Sequence, residues 1–76
     1  MHSLLNQIQD QQPHQRRVLV EYLDLKEKHQ ALRAFLGSQK ILDLPAMDQN
    51  LLFEQFRIMG MYVDVLENRI DRFTAQ

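Results

Sequence analysis

The stretch that decides the fold is residues 51–73, LLFEQFRIMGMYVDVLENRIDRF. Its apolar residues recur at alternating steps of four and three, at Leu52, Phe56, Met59, Val63, Leu66, Ile70 and Phe73. This heptad spacing is typical of one long helix that packs on a partner helix. A second apolar line runs beside the first, through Met47, Leu51, Ile58, Tyr62 and Val65. Together the two lines cover roughly half of the helix circumference, which is more than one partner helix needs.

A partner helix with the same spacing precedes this stretch. Its apolar seam consists of Val18, Tyr22, Leu25, His29, Leu32 and Leu36. Pro13 suits a first helical turn, and Gly37 suits the position just after a helix ends. The sequence therefore predicts a first helix over about 13–36. A lone histidine in such a seam, here His29, is expected to be a packed and hydrogen-bonded core residue.

The second helix is predicted to begin at Pro45, with Asp43 or Leu44 as its cap, and to run over about 45–74. The short connection makes the two helices antiparallel neighbours. We expect the apolar residues of the connection to close that end of the hairpin; they are Ile41, Leu42 and Leu44. The predicted fold class is all-α, an antiparallel two-helix hairpin with a short N-terminal helix, assembled into a homo-oligomeric helical bundle.

The predicted N-terminal helix lies within an arm of residues 1–12, where Ser3 can cap a turn that ends near Asp10. The arm and the 13–74 hairpin form one predicted domain over 1–76. On the first long helix, a second apolar patch is predicted to point away from the seam and to be covered by the arm or by a neighbouring copy; it consists of Leu19, Val20 and Leu23.

Size and composition favour self-association. A domain of 76 residues has a thin core, and the absence of cysteine removes disulfide staples. Oligomerisation remains as a source of stability, and Gly60 inside the second helix indicates either close approach of another helix or a local bend. We expect the oligomer interface to lie on the second helix, at Leu51, Ile58, Met61, Tyr62 and Val65.

Charge and hydropathy exclude several function classes. Nine Lys plus Arg oppose ten Asp plus Glu, so the net charge is −1, and proteins that hold DNA usually carry a basic excess. No apolar run reaches the ~20 residues that span a membrane, and the N-terminus lacks a signal-peptide pattern. We therefore predict no DNA, no membrane and a place in the cytoplasm. No pattern indicates a metal site, a cofactor or catalysis, so the chain is predicted not to be an enzyme.

Six polar residues flank the two apolar seams. Arg17, Glu21 and Lys28 share one flank of the first helix. Gln55, Tyr62 and Arg69 share one flank of the second. In an antiparallel hairpin, Lys28 is level with Gln55, Glu21 is level with Tyr62, and Arg17 is roughly level with residues 66–69.

Two interpretations of these six residues stay open. In the first they line a ligand groove, in which the cations hold phosphate, Tyr62 stacks on a base, and Gln55 supplies amide groups. In the second they are interhelical salt bridges, such as Glu21 with Arg69, whose aliphatic stems cover the edge of the core. The handedness of the hairpin decides whether the two flanks face each other, and the sequence leaves it open.

The order of these residues resembles a family of short helical-hairpin proteins of tailed bacteriophages and prophages. The resemblance covers about residues 16–71, and its apolar positions are those of the two seams. Its polar positions are the six flanking residues: Arg17, Glu21, Lys28, Gln55, Tyr62 and Arg69. The first dozen residues and the Gly60–Met61 pair are not part of the pattern.

Small phage proteins of this kind resemble counter-defence factors, and this resemblance implies the expected function. We expect a protein of the host bacterial cytoplasm that sequesters a nucleotide immune messenger, such as a cyclic nucleotide, in pockets between subunits. One alternative is an inhibitor or adaptor that blocks a host defence protein through Phe53, Met61 and the Leu19, Val20 and Leu23 patch. Another is a structural oligomer of the virion or of phage replication.

Overall fold

The computed structural model describes residues 13–74, which form two long helices joined by a short connection. Helix α1 spans Pro13–Leu36, a 3₁₀ helix spans Gln39–Asp43, and helix α2 spans Ala46–Thr74. The two long helices pack on each other as an antiparallel hairpin about 47 Å long. The all-α hairpin is therefore confirmed, and α1 has the predicted bounds. The predicted N-terminal helix and arm lie outside the described residues.

The connection differs in detail from the prediction. Ser38 caps the unpredicted 3₁₀ helix: its hydroxyl accepts from the Lys40 amide and donates to the Phe35 carbonyl. Gly37 ends α1 without a positive φ angle, so its freedom from a side chain is not what the turn requires. Helix α2 begins one residue later than predicted, at Ala46.

The cap of α2 was also predicted wrongly. The Gln49 amide donates to the Pro45 carbonyl at 3.0 Å. Pro45 therefore holds the capping position that we had assigned to Asp43 or Leu44, because the residue before a helix accepts its first backbone bond. The Gln49 side chain donates to the Leu44 carbonyl at 2.8 Å and so ties the connection to α2.

The core is concentrated toward the open end of the hairpin, which is the end opposite the 3₁₀ helix. Six residues form it: Val18, Leu19, Tyr22, Val63, Leu66 and Ile70. Leu19 and Leu66 are fully buried. The prediction that Leu19 points away from the seam is therefore wrong, whereas the exposure of Val20 and Leu23 agrees with their predicted direction away from the seam. The burial of Leu19 shows that, at the open end, α2 does not pack on the centre of the predicted α1 seam. It packs on a face of α1 that is rotated toward Leu19.

Toward the connection the packing depends on fewer residues. Ile41 is buried and Leu44 is half-buried, but Leu42 is 65% exposed. The expectation that all three close the hairpin is therefore wrong for Leu42. A five-residue 3₁₀ helix turns successive side chains by about 120°, so the adjacent residues 41 and 42 cannot both face the core.

His29 and Gly60 hold the middle of the hairpin together. The His29 ring stacks on Phe56 with 4.4 Å between ring centroids, and its Nε2 lies 3.2 Å from the Phe56 carbonyl oxygen. A Cβ atom at Gly60 would lie 3.2 Å from that Nε2. His29 is thus the packed core residue that the sequence predicts, and Gly60 marks a close helix approach, which here is made by α1.

The second apolar line of α2 is not buried by any other part of the described chain. Met47, Leu51, Ile58, Tyr62 and Val65 are all exposed, although their spacing places them on one face. The single hairpin therefore covers only the first of the two apolar lines. No helix in the described part of the chain is long and apolar enough to cross a membrane.

Candidate functional site

A direct contact between the two polar flanks forms the centre of the candidate site. The Tyr62 hydroxyl of α2 donates a hydrogen bond to the Glu21 carboxylate of α1. This contact shows that the two flanks face each other, which settles the handedness that the sequence left open. It also confirms that Glu21 is level with Tyr62. We call this side of the hairpin the Tyr62 edge, comprising Arg17, Glu21, Tyr62 and Arg69.

The two arginines of the Tyr62 edge lie on the same side of the central contact. Arg17 precedes Glu21 by four residues, or about 6 Å of α1. Arg69 follows Tyr62 by seven residues, or about 10 Å of α2. Because the helices are antiparallel, both displacements point to the open end of the hairpin. The edge therefore has an aromatic ring and a carboxylate at its centre and two exposed guanidinium groups toward one end.

A shallow depression on α1 adjoins this contact. It is lined by Arg16, Arg17, Val20, Glu21 and Asp24. Arg16, Val20 and Asp24 were not among the predicted ligand-binding residues. Their spacing of four residues was the available signal, because residues at such steps share a helix face. The depression presents charges of both signs, and it includes Glu21, which accepts the hydrogen bond from the Tyr62 hydroxyl.

Lys28 and Gln55, the other two predicted site residues, do not take part in the Tyr62–Glu21 contact within the described chain. The Lys28 ammonium pairs with Asp24 of its own helix at 3.1 Å. The Gln55 amide points to the Met59 sulfur, 3.8 Å away on its own helix. Both residues lie on the connection side of the Tyr62–Glu21 contact. The structure thus brings Glu21 and Tyr62 together and leaves Lys28 and Gln55 apart from them.

The salt-bridge interpretation does not describe this edge. Within residues 13–73 the ion pairs are Lys28–Asp24 and Arg57–Glu54, and each joins two residues of one helix. Glu21 forms no ion pair with Arg17 or Arg69 in that range. The link between the helices is instead the hydrogen bond that the neutral Tyr62 hydroxyl donates to Glu21. Within residues 13–73, Arg17 and Arg69 therefore form no ion pair that stabilises the fold.

Electrostatics at Tyr62 follow from its neighbours. The hydrogen bond to the Glu21 carboxylate raises the pKa of the Tyr62 hydroxyl above its ordinary value near 10, and Arg69 opposes that shift. Tyr62 therefore keeps its proton at neutral pH and stays a donor.

A second Tyr–Glu contact joins the helices on the other side of the hairpin. The Tyr22 hydroxyl donates to Glu67 at 2.8 Å and accepts from the Lys26 ammonium at 3.2 Å. We call this the Tyr22 edge, comprising Tyr22, Lys26 and Glu67. Tyr22 was predicted only to be an apolar seam residue. The missed signal was its hydroxyl, because a buried tyrosine usually has a hydrogen-bond partner.

The candidate interface residues are all exposed on the described hairpin: Leu51, Ile58, Met61, Tyr62 and Val65. Tyr62 belongs to this apolar line and to the Tyr62 edge, so the two surfaces are continuous. No group of three or more His, Cys, Asp or Glu residues within 13–74 could hold a metal ion.

Comparison with known proteins places the chain in a family. The model of the Sequestin family matches residues 12–72. A protein of Enterobacteria phage T4, described as an uncharacterized 7.5 kDa protein in the denB-rIIB intergenic region, is 45% identical over 60 residues. That match covers 79% of this chain and 94% of the phage T4 protein. No solved structure matches the chain.

The chain therefore belongs to the Sequestin family, and the resemblance to phage hairpin proteins is confirmed. Proteins of this family sequester nucleotide signals of immunity and are not enzymes. The expected counter-defence role, sequestration of a nucleotide immune signal, is therefore confirmed for the family.

Proposed function

We propose that this member of the Sequestin family binds its nucleotide immune signal on the Tyr62 edge, at a junction between copies of the chain. The observation that carries the proposal is the arrangement of that edge. Tyr62 and Glu21 meet at its centre, Arg17 and Arg69 lie toward one end, and an uncovered apolar line continues from Tyr62. Aromatic, polar and cationic groups are those that hold a base, its edge and a phosphate.

Each residue has a distinct role in this proposal. Arg17 and Arg69 hold phosphate oxygens, because a guanidinium group can donate two parallel hydrogen bonds to such an anion. The Tyr62 ring stacks on a base, which is worth about 1–3 kcal/mol. Glu21 and Gln55 contact polar base edges, and Lys28 supplies a further cation if it exchanges its Asp24 partner for phosphate.

The homo-oligomer follows from the uncovered face of α2. Five large apolar side chains on one helix face are unusual on a free monomer and mark an interaction site; here they are Met47, Leu51, Ile58, Tyr62 and Val65. A second copy covers them in the proposed assembly. It also encloses the open Tyr62 edge, which a single hairpin leaves in water. We place this assembly in the cytoplasm of the host bacterium, where nucleotide signals of immunity are produced.

Native mass spectrometry tests both parts of the proposal. The protein is measured alone and with a panel of cyclic dinucleotides, cyclic trinucleotides and cyclic ADP-ribose isomers. We expect an oligomer that gains a defined number of intact nucleotide masses. A monomer contradicts the proposed assembly. An oligomer that gains no mass from any panel member contradicts the nucleotide site.

Arg69→Ala tests the assignment of the site. We expect the variant to stay folded and assembled but to bind about 10- to 100-fold more weakly, because a hydrogen bond to a charged group is worth about 1.5–3 kcal/mol. Arg72→Ala is the matched control, since Arg72 is an exposed arginine in the last turn of the same helix. Equal binding by the two variants contradicts the assignment.

Ile58→Asp tests the interface. We expect a monomer with intact helices that no longer retains the nucleotide, because a charge on the apolar line opposes burial. Phe53→Asp is the control: Phe53 is an exposed apolar residue of α2 that lies off this line. If Phe53→Asp instead removes the counter-defence effect while nucleotide binding persists, the alternative of a protein-binding inhibitor is favoured.

A further inference from the structure

The Tyr62 edge contains one group that an anion site does not need, the carboxylate of Glu21. A phosphate near Arg17 and Arg69 is repelled by this carboxylate. No ion pair with either arginine holds Glu21 in place within the described chain. Its contact is the Tyr62 hydroxyl, which donates to Oε2. The carboxylate is thus an acceptor placed beside the ring on which a base stacks.

We infer that Glu21 selects guanine among the bases of the sequestered nucleotide; this inference rests on the proposed binding at the Tyr62 edge. An ionised carboxylate only accepts hydrogen bonds, and its two oxygens accept side by side. Guanine is the common base that presents two adjacent donors on one edge, N1–H and the 2-amino group. Adenine, cytosine and uracil each place an acceptor beside their donor on that edge, and this acceptor faces a carboxylate oxygen unfavourably.

The geometry of α1 and α2 supports this role. The contact through the Tyr62 hydroxyl places the Glu21 carboxylate next to the phenol ring. A base that stacks on Tyr62 therefore brings one edge toward Glu21. Oε1 of Glu21 accepts no hydrogen bond within residues 13–73, so one oxygen is available without any rearrangement, and Oε2 exchanges a hydroxyl donor for a base donor.

The arginines then contact a different part of the same ligand. Both lie toward the open end of the hairpin relative to Glu21, by about 6 Å and 10 Å along their helices. A nucleotide is longer than either distance, so its phosphate can reach the guanidinium groups while its base stays on Tyr62. Glu21 determines base identity, and the cations determine affinity for phosphate.

The test compares cyclic di-GMP with cyclic di-AMP, which share a phosphate ring and differ in the base. Affinities are measured by isothermal titration calorimetry for the full chain and for Glu21→Gln. We expect the unmodified protein to prefer cyclic di-GMP by about tenfold or more, the usual effect of a two-bond base contact. Glu21→Gln reverses the preference, because an amide offers one donor and one acceptor and so matches adenine.

Glu27→Gln is the matched control, because Glu27 is an exposed glutamate on a different face of α1. It is expected to keep the guanine preference. Thermal unfolding of each variant shows whether the fold is intact, and a gain of cyclic di-AMP binding by Glu21→Gln cannot result from misfolding.

The outcomes separate this inference from the proposed function. Equal affinity for the two ligands, or a preference that Glu21→Gln leaves unchanged, overturns the role of Glu21 while the nucleotide site stands. Binding of an adenine or uracil ligand from the panel, with no binding of cyclic di-GMP, has the same meaning. Failure to bind any panel member overturns the proposed site and the inference together.

Discussion

The two edges of the hairpin use the same pair of residue types for opposite purposes. On each edge a tyrosine of one helix donates to a glutamate of the other. Tyr22 is only 6% exposed, belongs to the core cluster and also accepts from Lys26, whereas Tyr62 is 41% exposed. The Tyr22 edge is therefore satisfied within the chain. The Tyr62 edge contains Arg17 and Arg69, neither of which forms an ion pair within residues 13–73, and it adjoins an uncovered apolar line, so a ligand or second copy can still be added there.

This difference shows that an identical contact is not evidence for an identical role. The surroundings of each contact decide what it does. A buried hydroxyl must be paired, because leaving it unpaired costs free energy. An exposed hydroxyl can bond to water instead, so its protein contact is easily exchanged.

The largest expected change in stability comes from comparing two neighbouring residues of α2, one in the buried core and one on the exposed apolar line. Leu66 is fully buried among the core residues, and Val65 is exposed on the apolar line. We expect Leu66→Ala to lower the free energy of unfolding by about 2–5 kcal/mol, whereas Val65→Ala changes it by no more than about 0.5 kcal/mol under monomeric conditions. Urea denaturation at one fixed protein concentration measures both. Similar losses for the two variants would remove the distinction.

Removal of each tyrosine hydroxyl tests the two contacts directly. Tyr22→Phe is expected to destabilise the fold by about 1 kcal/mol or more, because the half-buried Glu67 loses its donor. Tyr62→Phe is expected to change stability by no more than about 0.5 kcal/mol, since its hydroxyl is exposed to water. Urea midpoints for the pair give the answer. A larger loss of stability for Tyr62→Phe than for Tyr22→Phe would show that the Tyr62–Glu21 contact is the one that stabilises the fold, contrary to this prediction.

The point where α1 and α2 approach most closely gives a smaller effect. Alanine in place of glycine stabilises a helix by about 1 kcal/mol, but a Cβ at Gly60 lies 3.2 Å from the His29 Nε2. His29 is held by its stack on Phe56 and by the Phe56 carbonyl. We therefore expect Gly60→Ala to be more favourable by about 0.5–1 kcal/mol in a His29→Ala background.

A double-mutant cycle of these two substitutions, measured by urea denaturation, checks that coupling. Additive effects would mean that the His29 ring shifts freely and does not set the distance between the helices at this level. Leu25→Ala combined with Gly60→Ala serves as the comparison pair, because no contact joins Leu25 to the space at Gly60.

Alkaline pH is expected to weaken the Tyr22 edge gradually. Burial and the Glu67 carboxylate raise the pKa of Tyr22 above its ordinary value near 10, and the Tyr22 contact raises the pKa of Lys26. A group whose pKa is raised in the folded state stabilises the fold below its unfolded pKa. That contribution is therefore complete below about pH 10 and is lost as the pH rises through the higher folded value.

Urea midpoints at pH 8 and pH 11 measure this loss. We expect Tyr22→Phe to lose less stability over that interval than the unmodified protein, because the titrating hydroxyl is gone. Tyr62→Phe is expected to behave more like the unmodified protein, since the exposed Tyr62–Glu21 contact is screened by water. The reverse order would show that the Tyr62 edge is the more strongly coupled of the two.

The predicted helices were reliable where local chemistry determines them. Pro13 and the residues around Gly37 set the bounds of α1, and the alternating steps of four and three set the seam of α2. The same spacing predicted that the second apolar line of α2 is too wide to be covered by α1 alone. The length of the connection also predicted the antiparallel register, in which Glu21 is level with Tyr62 and Arg17 is roughly level with residues 66–69.

What the sequence by itself determined is therefore helical periodicity, approximate register and the order of residues that marks the Sequestin family. Only the tertiary structure decided which flanks meet, that Leu19 is buried and Leu42 exposed, and that Tyr22 bonds to Glu67. The physical reason is that periodicity specifies a direction around each helix separately. The relative rotation of two helices depends on packing between distant residues, here His29 against Phe56 and Gly60, and on a 3₁₀ connection with no periodic signal of its own.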